Sequence, residues 1–518
     1  MSSLATPIGS RELSHNKTIA DQVTDFEDDF EGEVHQLKLK RGLKNRHVSF
    51  LALAGIIGPG ILVGAAAPTA EGPLSLIVGF GVVGLIAFSM VQSLGELATL
   101  YPLGNVLSTL GKKLFDQAIG GALGWNYVII WVAVLANEYN MVASIMSYWC
   151  PQVPLYGHVL MFWAAFLALQ FLSVSKFGEL EFWLALFKIV GIVAFYIFSI
   201  VYAAGGVKGQ EAFGFRYWRE PGPLAHGFKS IVSTLVFAST FYSGTEAIAI
   251  AASETSNPRK AIPTAIRQTF VRIIIIYMGI AFFYGLTVPY NAPELASSNN
   301  TLKSPMSVAI MRAGWAGGVN LVNAFILMTC VSAINSCIYI GSRTVVHLAH
   351  EGSAPRIFAR INKAGVPYFA VLGFNACGML LLMNISTGAA KAYSYIVNLS
   401  GVAVFIVWGG VNVYHLRFRR AWALQGRSVD ELPYRALWYP TLPIFGVAVN
   451  IFLALIQGWN TLKPFRPEDF VDAYILFPFF FVLVGVLKLA TKSKWQHLAE
   501  IDLDDGRRAD LDDVEEQH

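Results

Sequence analysis

This sequence is short of charge. Asp, Glu, Lys and Arg make up 14% of its 518 residues, against 55% hydrophobic. A soluble chain of this length needs more charge to cover its surface, so a soluble globular protein is excluded first. Cysteine is scarce as well. Cys150, Cys330, Cys337 and Cys377 lack metal or redox spacing and read as small core residues. The short alternating segments of a transmembrane barrel are missing. No cleavable leader opens the chain, since residues 1–37 are polar and acidic, so the first apolar run is expected to start insertion itself. No nucleophile–base pair, metal cluster or phosphate loop stands out. An enzyme, a cofactor and a nucleic-acid partner are therefore not expected.

The apolar residues instead come in long runs. Val48 to Ala67 and Ala313 to Ser342 contain no charge, and Leu74 to Leu94, Val366 to Ala389, Ala392 to Tyr414 and Ala436 to Leu462 repeat the pattern. About twenty apolar residues span the hydrocarbon core, and helices satisfy their own backbone there. The reading is an all-α integral membrane protein with twelve spans near 48–68, 74–96, 121–149, 155–175, 181–204, 229–252, 270–289, 319–342, 367–388, 393–415, 441–461 and 470–489. Flanking segments 1–40 and 491–518 read as cytoplasmic tails, the acidic stretches Asp21 to Glu33 and Glu500 to Glu516 being unstructured.

Lys38, Lys40, Arg41, Lys44 and Arg46 precede span 1 and place the N-terminus inside. Counting span ends, inside segments then hold about 24 Lys and Arg and outside segments about nine, and an even span number returns the C-terminus to the cytoplasm. The sequon at Asn299 falls in an outer loop where a glycan could be added, whereas Asn16 would be cytoplasmic. The tails are solubilising, or they dock trafficking adaptors and a ubiquitin ligase acting on Lys38 and Lys40.

Two spans carry breaks at matched positions. Span 1 holds Gly55-Ile56-Ile57-Gly58-Pro59-Gly60, and span 6 holds Phe241-Tyr242-Ser243-Gly244-Thr245-Glu246. Glycine and proline at this density oppose a continuous helix. Each break opens one of two five-helix halves, and paired interruptions point to a transporter binding site. Unwinding frees N–H groups for a carboxylate and C=O groups for an ammonium, so a zwitterion such as an amino acid fits. A packing kink remains the alternative for span 1.

The charges inside the spans are Glu138 in span 3, Lys188 in span 5 and Glu246 just past the second break. Such groups are costly and usually functional. Lys188 suits proton coupling, with snorkelling as the alternative. Glu246 takes up a proton or holds the unwound segment. Glu138 lines the site, receives a proton, or pairs with a neighbouring helix. Glu96 and Glu181, near span ends, read as interfacial. Phe241 and Tyr242 are candidates for an aromatic gate, and Ser332 and Asn335 for polar contacts.

Motifs in order then carry a resemblance. They include Leu43-Lys44-Asn45-Arg46-His47, Gly95-Glu96-Leu97-Ala98-Thr99-Leu100-Tyr101-Pro102, Ser243-Gly244-Thr245-Glu246, Asn257-Pro258-Arg259-Lys260-Ala261-Ile262-Pro263, Gly341-Ser342-Arg343, Gly365-Val366-Pro367 and His415-Leu416-Arg417-Phe418-Arg419-Arg420-Ala421. From Leu43 to about Leu489 the chain resembles the fungal amino-acid permeases of the amino acid–polyamine–organocation superfamily, most of all their general amino-acid permease branch. The resemblance implies an inverted five-plus-five repeat (about 48–204 and 229–415) with accessory spans at 441–489, discontinuous spans 1 and 6, and proton-driven amino-acid import at the plasma membrane. It places Ile56, Gly58, Gly60, Ile61, Glu138, Phe241, Tyr242, Ser243, Gly244, Ser332 and Asn335 at the substrate. Lys188, where relatives carry a lysine in place of a sodium ion, joins Glu246 and Glu138 in coupling. The family usually has Ser or Thr where this chain has Pro59, which offers neither N–H nor hydroxyl. An amino-acid sensor with little flux, and a carrier of choline or a polyamine, stay open as alternatives.

Overall fold

A computed structural model describes residues 57–58, 60–101, 106–171, 174–247, 258–297, 302–362, 365–385 and 387–507. The residues it describes form helices, turns and loops, with no named strand among them. The long helices are α2 (Pro73–Leu100), α4 (Gln117–Trp149), α6 (Val174–Ala203), α8 (Ile262–Thr287), α10 (Gly318–His350) and α12 (Thr387–Leu424). Shorter ones are α1 (Gly60–Thr69), α3 (Val106–Leu114), α5 (Leu155–Gln170), α7 (Phe228–Phe241), α9 (Pro305–Arg312), α11 (Tyr368–Met383) and α13 (Thr441–Ile456). The last pair, α14 (Pro467–Tyr474) and α15 (Leu476–Thr491), meets at a 45° bend.

Seven described helices are long and apolar enough to cross a membrane, or eight when the bent pair counts as one span; four more apolar helices are shorter. Local chemistry sets their ends. Pro73 opens α2, where a missing N–H costs nothing. The preceding Gly72 has φ +109° and sits where a Cβ would come within 2.5 Å of the Pro223 carbonyl. Asp116 caps α4 by accepting the Ile119 N–H at 2.8 Å.

Helix α4 lies at the centre, against α3, α10, α12 and α15. Small residues permit the approach: a Cβ on Gly120 would meet the Ser108 carbonyl at 2.3 Å, and one on Gly124 would meet Leu348 at 2.6 Å. The glycines of Gly121-Ala122-Leu123-Gly124 are thus packing positions.

Two of the apolar segments hold non-helical residues inside the bundle. Ile57 and Gly58 are not helical, and α1 then winds as a π-helix over Gly60–Gly64. Helix α7 stops at Phe241, and the chain turns through Gly244 at φ +90°. Ile56 and Pro59 lie outside the described residues, as do the tail lysines Lys38 and Lys40 and both sequons.

Three readings from sequence are corrected. Glu96 is not interfacial but fully buried: it pairs with Arg419 (2.6 Å) and His415 (2.9 Å) and accepts the Ala436 N–H (2.7 Å), tying α2 to α12 and to the loop before α13. Glu181 is also buried, and α6 begins about two turns before it. The C-terminal stretch is not unstructured as far as residue 507. Ile501 and Leu503 are buried, the Tyr101 hydroxyl donates to the Leu503 carbonyl at 2.6 Å, and the Gln496 N–H donates to the Phe115 carbonyl at 2.8 Å. Arg427 pairs with Asp504 there and holds its carboxyl below the usual carboxylate range.

Replacing Glu96 with Ala strands the buried Arg419 guanidinium and leaves the buried His415 without its partner, which costs about 3–5 kcal/mol. The exposed pair of Arg435 with Asp430 contributes under about 1 kcal/mol by the same reasoning. Thermal unfolding of purified Glu96→Ala and Asp430→Ala should show a large fall in Tm for the first and almost none for the second.

Candidate substrate site at the helix breaks

A cavity of about 690 Å³ lies where the two breaks face each other. Gly58, Gly60 and Ile61 form one wall, Phe241 and Ser243 another, and Glu138 of α4 a third; Ser336 and Cys337 of α10 and Phe405 of α12 close it. Its mouth is bordered by Lys303, Arg466, Asp469 and Asp472. Helix α14 thus belongs to the entrance.

Glu138 is 4% exposed. Its Oε1 occupies the space a side chain at position 58 would need, since a Cβ there would stand 2.4 Å away. Its Oε2 has no hydrogen-bond partner, and the Ser243 hydroxyl, also buried, has none either. Buried polar atoms without partners are rare and costly in a folded chain. Two of them lining one cavity mark it as a place for a polar ligand. Opposite them, Gly60 and Ile61 begin a helix, where amides lack partners within the helix and the dipole is positive.

Phe241 is half-buried and packs on this start: a Cβ on Gly60 would meet its ring at 3.1 Å. Tyr242 does not join it. Tyr242 is fully buried behind the break, donating its hydroxyl to the Phe80 carbonyl (2.9 Å) and stacking on Tyr277 with centroids 4.0 Å apart. Gly244 supplies the turn, and its N–H donates to Glu246 Oε1 at 3.1 Å. Glu246 Oε2 accepts from Trp408 Nε1 at 3.0 Å. Glu246 therefore holds the unwound segment and does not line the cavity. The carbonyls freed by the break are also used, that of Phe241 by the Tyr277 hydroxyl (2.9 Å) and that of Tyr242 by Thr245 (2.6 Å).

Behind Glu138 lies a second buried group. Lys188 is 0% exposed, and Glu181 and Glu138 are the carboxylates that act on its charge. Glu181 accepts from Ser332 (2.7 Å) and from Asn335 Nδ2 (2.8 Å), and Gln170 donates to the Asn335 side chain (2.7 Å). Ser332 and Asn335 thus face Glu181, not the cavity. Sequence reading placed Glu181 at an interface and gave Trp408 no role. Glu181 precedes Lys188 by seven residues, two helical turns, so their shared face was a usable signal. Nothing in the sequence pairs Trp408 with Glu246.

A family model described as amino acid permease matches residues 47–500. The chain belongs to the amino acid permease family. It is 56% identical over 480 residues to the general amino acid permease AGP3 of Saccharomyces cerevisiae, covering 92% of this chain and 86% of that one. It is 49% identical to the uncharacterized amino-acid permease C965.11c of Schizosaccharomyces pombe (91% and 87% covered) and 34% identical to the general amino-acid permease GAP1 of Saccharomyces cerevisiae (92% and 82%). Membership makes this a multi-pass membrane protein, in line with its apolar helices.

If the permease binds its ligand where the breaks meet, Gly58→Ala should displace Glu138 and reduce uptake at least about tenfold, the effect of misplacing one charged hydrogen-bond partner. Gly485→Ala, where an added Cβ meets nothing within 4 Å, serves as control and should leave uptake near wild type. Radiolabelled uptake normalised to permease in the membrane reads both.

Proposed function

We propose that this permease imports amino acids by proton symport, with a broad specificity, at the plasma membrane. The observation that carries the reading is the pairing of unlike ends in one cavity. The helix start at Gly60 and Ile61 suits a carboxylate, and the unpartnered oxygens of Glu138 and Ser243 suit an ammonium. An α-amino acid carries both groups on one carbon. A broad specificity suits the mixed lining, which offers Val134, Met141, Val402 and Phe405 beside Asn137, Asn140 and Thr240 to the side chain.

The coupling site in this reading is Lys188 with Glu138 and Glu181. These charges are buried together, and Glu138 also lines the cavity, so a proton gained or lost there alters the ligand's surroundings directly. The reading takes twelve spans, two inverted five-helix halves and two accessory spans. It is supported by a described helix in each of the twelve apolar segments and by interruptions at the first position of each half. Both termini are cytoplasmic on the Lys and Arg distribution, which leaves Lys38 and Lys40 open to ubiquitin ligase and its adaptors. In transport, one half rocks against the other around the loaded cavity.

One proton moving down 100 mV supplies about 2.3 kcal/mol, enough for a gradient of roughly fifty-fold. Vesicles containing the purified permease should concentrate a labelled amino acid when the outside is acidic, and a protonophore should abolish this. Lys188→Ala should lose accumulation while still exchanging substrate across the membrane. Undiminished accumulation by Lys188→Ala would remove the lysine from the coupling step.

A further inference from the structure

The break in α7 is held by a helix from outside the cavity. Helix α8 departs from α-winding over Ile273–Met278, where it forms a π-turn. Such turns tilt side chains out of register and gather at functional sites. Arg272, just before the π-turn, is fully buried and reaches the broken segment: its Nη2 donates to the Thr245 hydroxyl at 2.5 Å. That hydroxyl donates in turn to the Tyr242 carbonyl at 2.6 Å. Tyr277, inside the π-turn, stacks on the Tyr242 ring and caps the Phe241 carbonyl with its hydroxyl at 2.9 Å. The Arg272 guanidinium lies 5.8 Å from the Tyr277 ring centroid.

One face of α8 therefore touches Phe241, the last residue of α7, and the turn that follows at Tyr242 and Thr245. Both stand next to the cavity, since Phe241 and Ser243 line it. The charged and titratable groups acting on Glu246, at the far side of the same turn, are Arg272 and Tyr277 from α8 and Tyr127 from α4. Arg272 thus also faces the carboxylate that holds Gly244.

We propose that Arg272 is a positioning residue for substrate binding: with Tyr277 it sets the shape of the α7 break, and with it the direction in which Phe241 and Ser243 face the ligand. Arg272 touches neither ligand nor cavity and acts through Thr245. The π-turn is the device that brings both residues to one level: at ordinary helical spacing, positions 272 and 277 differ by 500° and point apart. Glu246, occupied on both oxygens by N–H donors, belongs to the same clamp. The inference rests on the amino-acid-binding part of the reading above and is independent of its proton-coupling part.

Initial uptake rates in vesicles, normalised to folded permease, test it across substrate concentration and external pH. Arg272→Gln should raise KM about tenfold, the usual effect of losing a charged hydrogen bond, with a smaller change in kcat and the pH profile unmoved. Arg272→Lys should recover part of that loss. Tyr277→Phe removes one hydroxyl and little volume, so it reports even where Arg272→Gln folds poorly, and should raise KM about three- to tenfold. Thr245→Val combined with Arg272→Gln should cost no more than the worse single change, because both cut one chain of contacts. Unchanged KM in Tyr277→Phe, or additive losses in the double variant, overturns the positioning role. A displaced pH profile in Arg272→Gln overturns it as well, by giving Arg272 a part in proton movement. A wild type whose uptake ignores pH defeats the symport reading alone, and the KM comparison still decides Arg272.

Discussion

A helix that stops inside lipid leaves polar backbone groups that no solvent can satisfy, and everything distinctive here follows from how this chain satisfies them. At the end of α7 the Phe241 carbonyl goes to Tyr277, the Tyr242 carbonyl to Thr245, and the Gly244 N–H to Glu246. With those groups taken, the break is a fixed shape and not a frayed end. The polar atoms without a hydrogen-bond partner beside the cavity include the Ser243 hydroxyl and one oxygen of Glu138. The fold thus decides which polar groups are left for a ligand by consuming the others.

The same economy runs through the buried charges. Glu96 is surrounded by His415, Arg419 and the Ala436 amide, and Glu246 by two N–H donors. These carboxylates are fastened and hold helices together. Glu138 differs. It abuts Gly58 at the other break, leaves an oxygen unused, and shares the field of Lys188 with Glu181. A group balanced in this way can change partners between states, which a transporter needs and a structural ion pair resists.

Much of the fold could be read from the sequence, because lipid makes long apolar runs unambiguous and glycine with proline marks the places where winding fails. The α7 break was visible in Ser243-Gly244-Thr245 for that reason. The direction of side chains around the bundle was not. Ser332 and Asn335 look like ligand contacts on a helix drawn alone, yet Glu181 on α6 claims both. Tyr242 looks like a gate and is a buried strut, because a π-turn that no residue pattern announces brings Tyr277 against it. The docked C-terminal stretch was hidden for another reason: it is anchored by backbone hydrogen bonds and two buried side chains, too few to make a periodic signal.

The most direct test of this account is an experimental structure of the permease with an amino acid bound. The account requires the ligand's carboxylate at the Gly60 and Ile61 amides and its ammonium within hydrogen-bond reach of Glu138 or Ser243, with α7 still ending at Phe241. A ligand bound away from both breaks, or an α7 that runs on as a regular helix through Gly244, would contradict it.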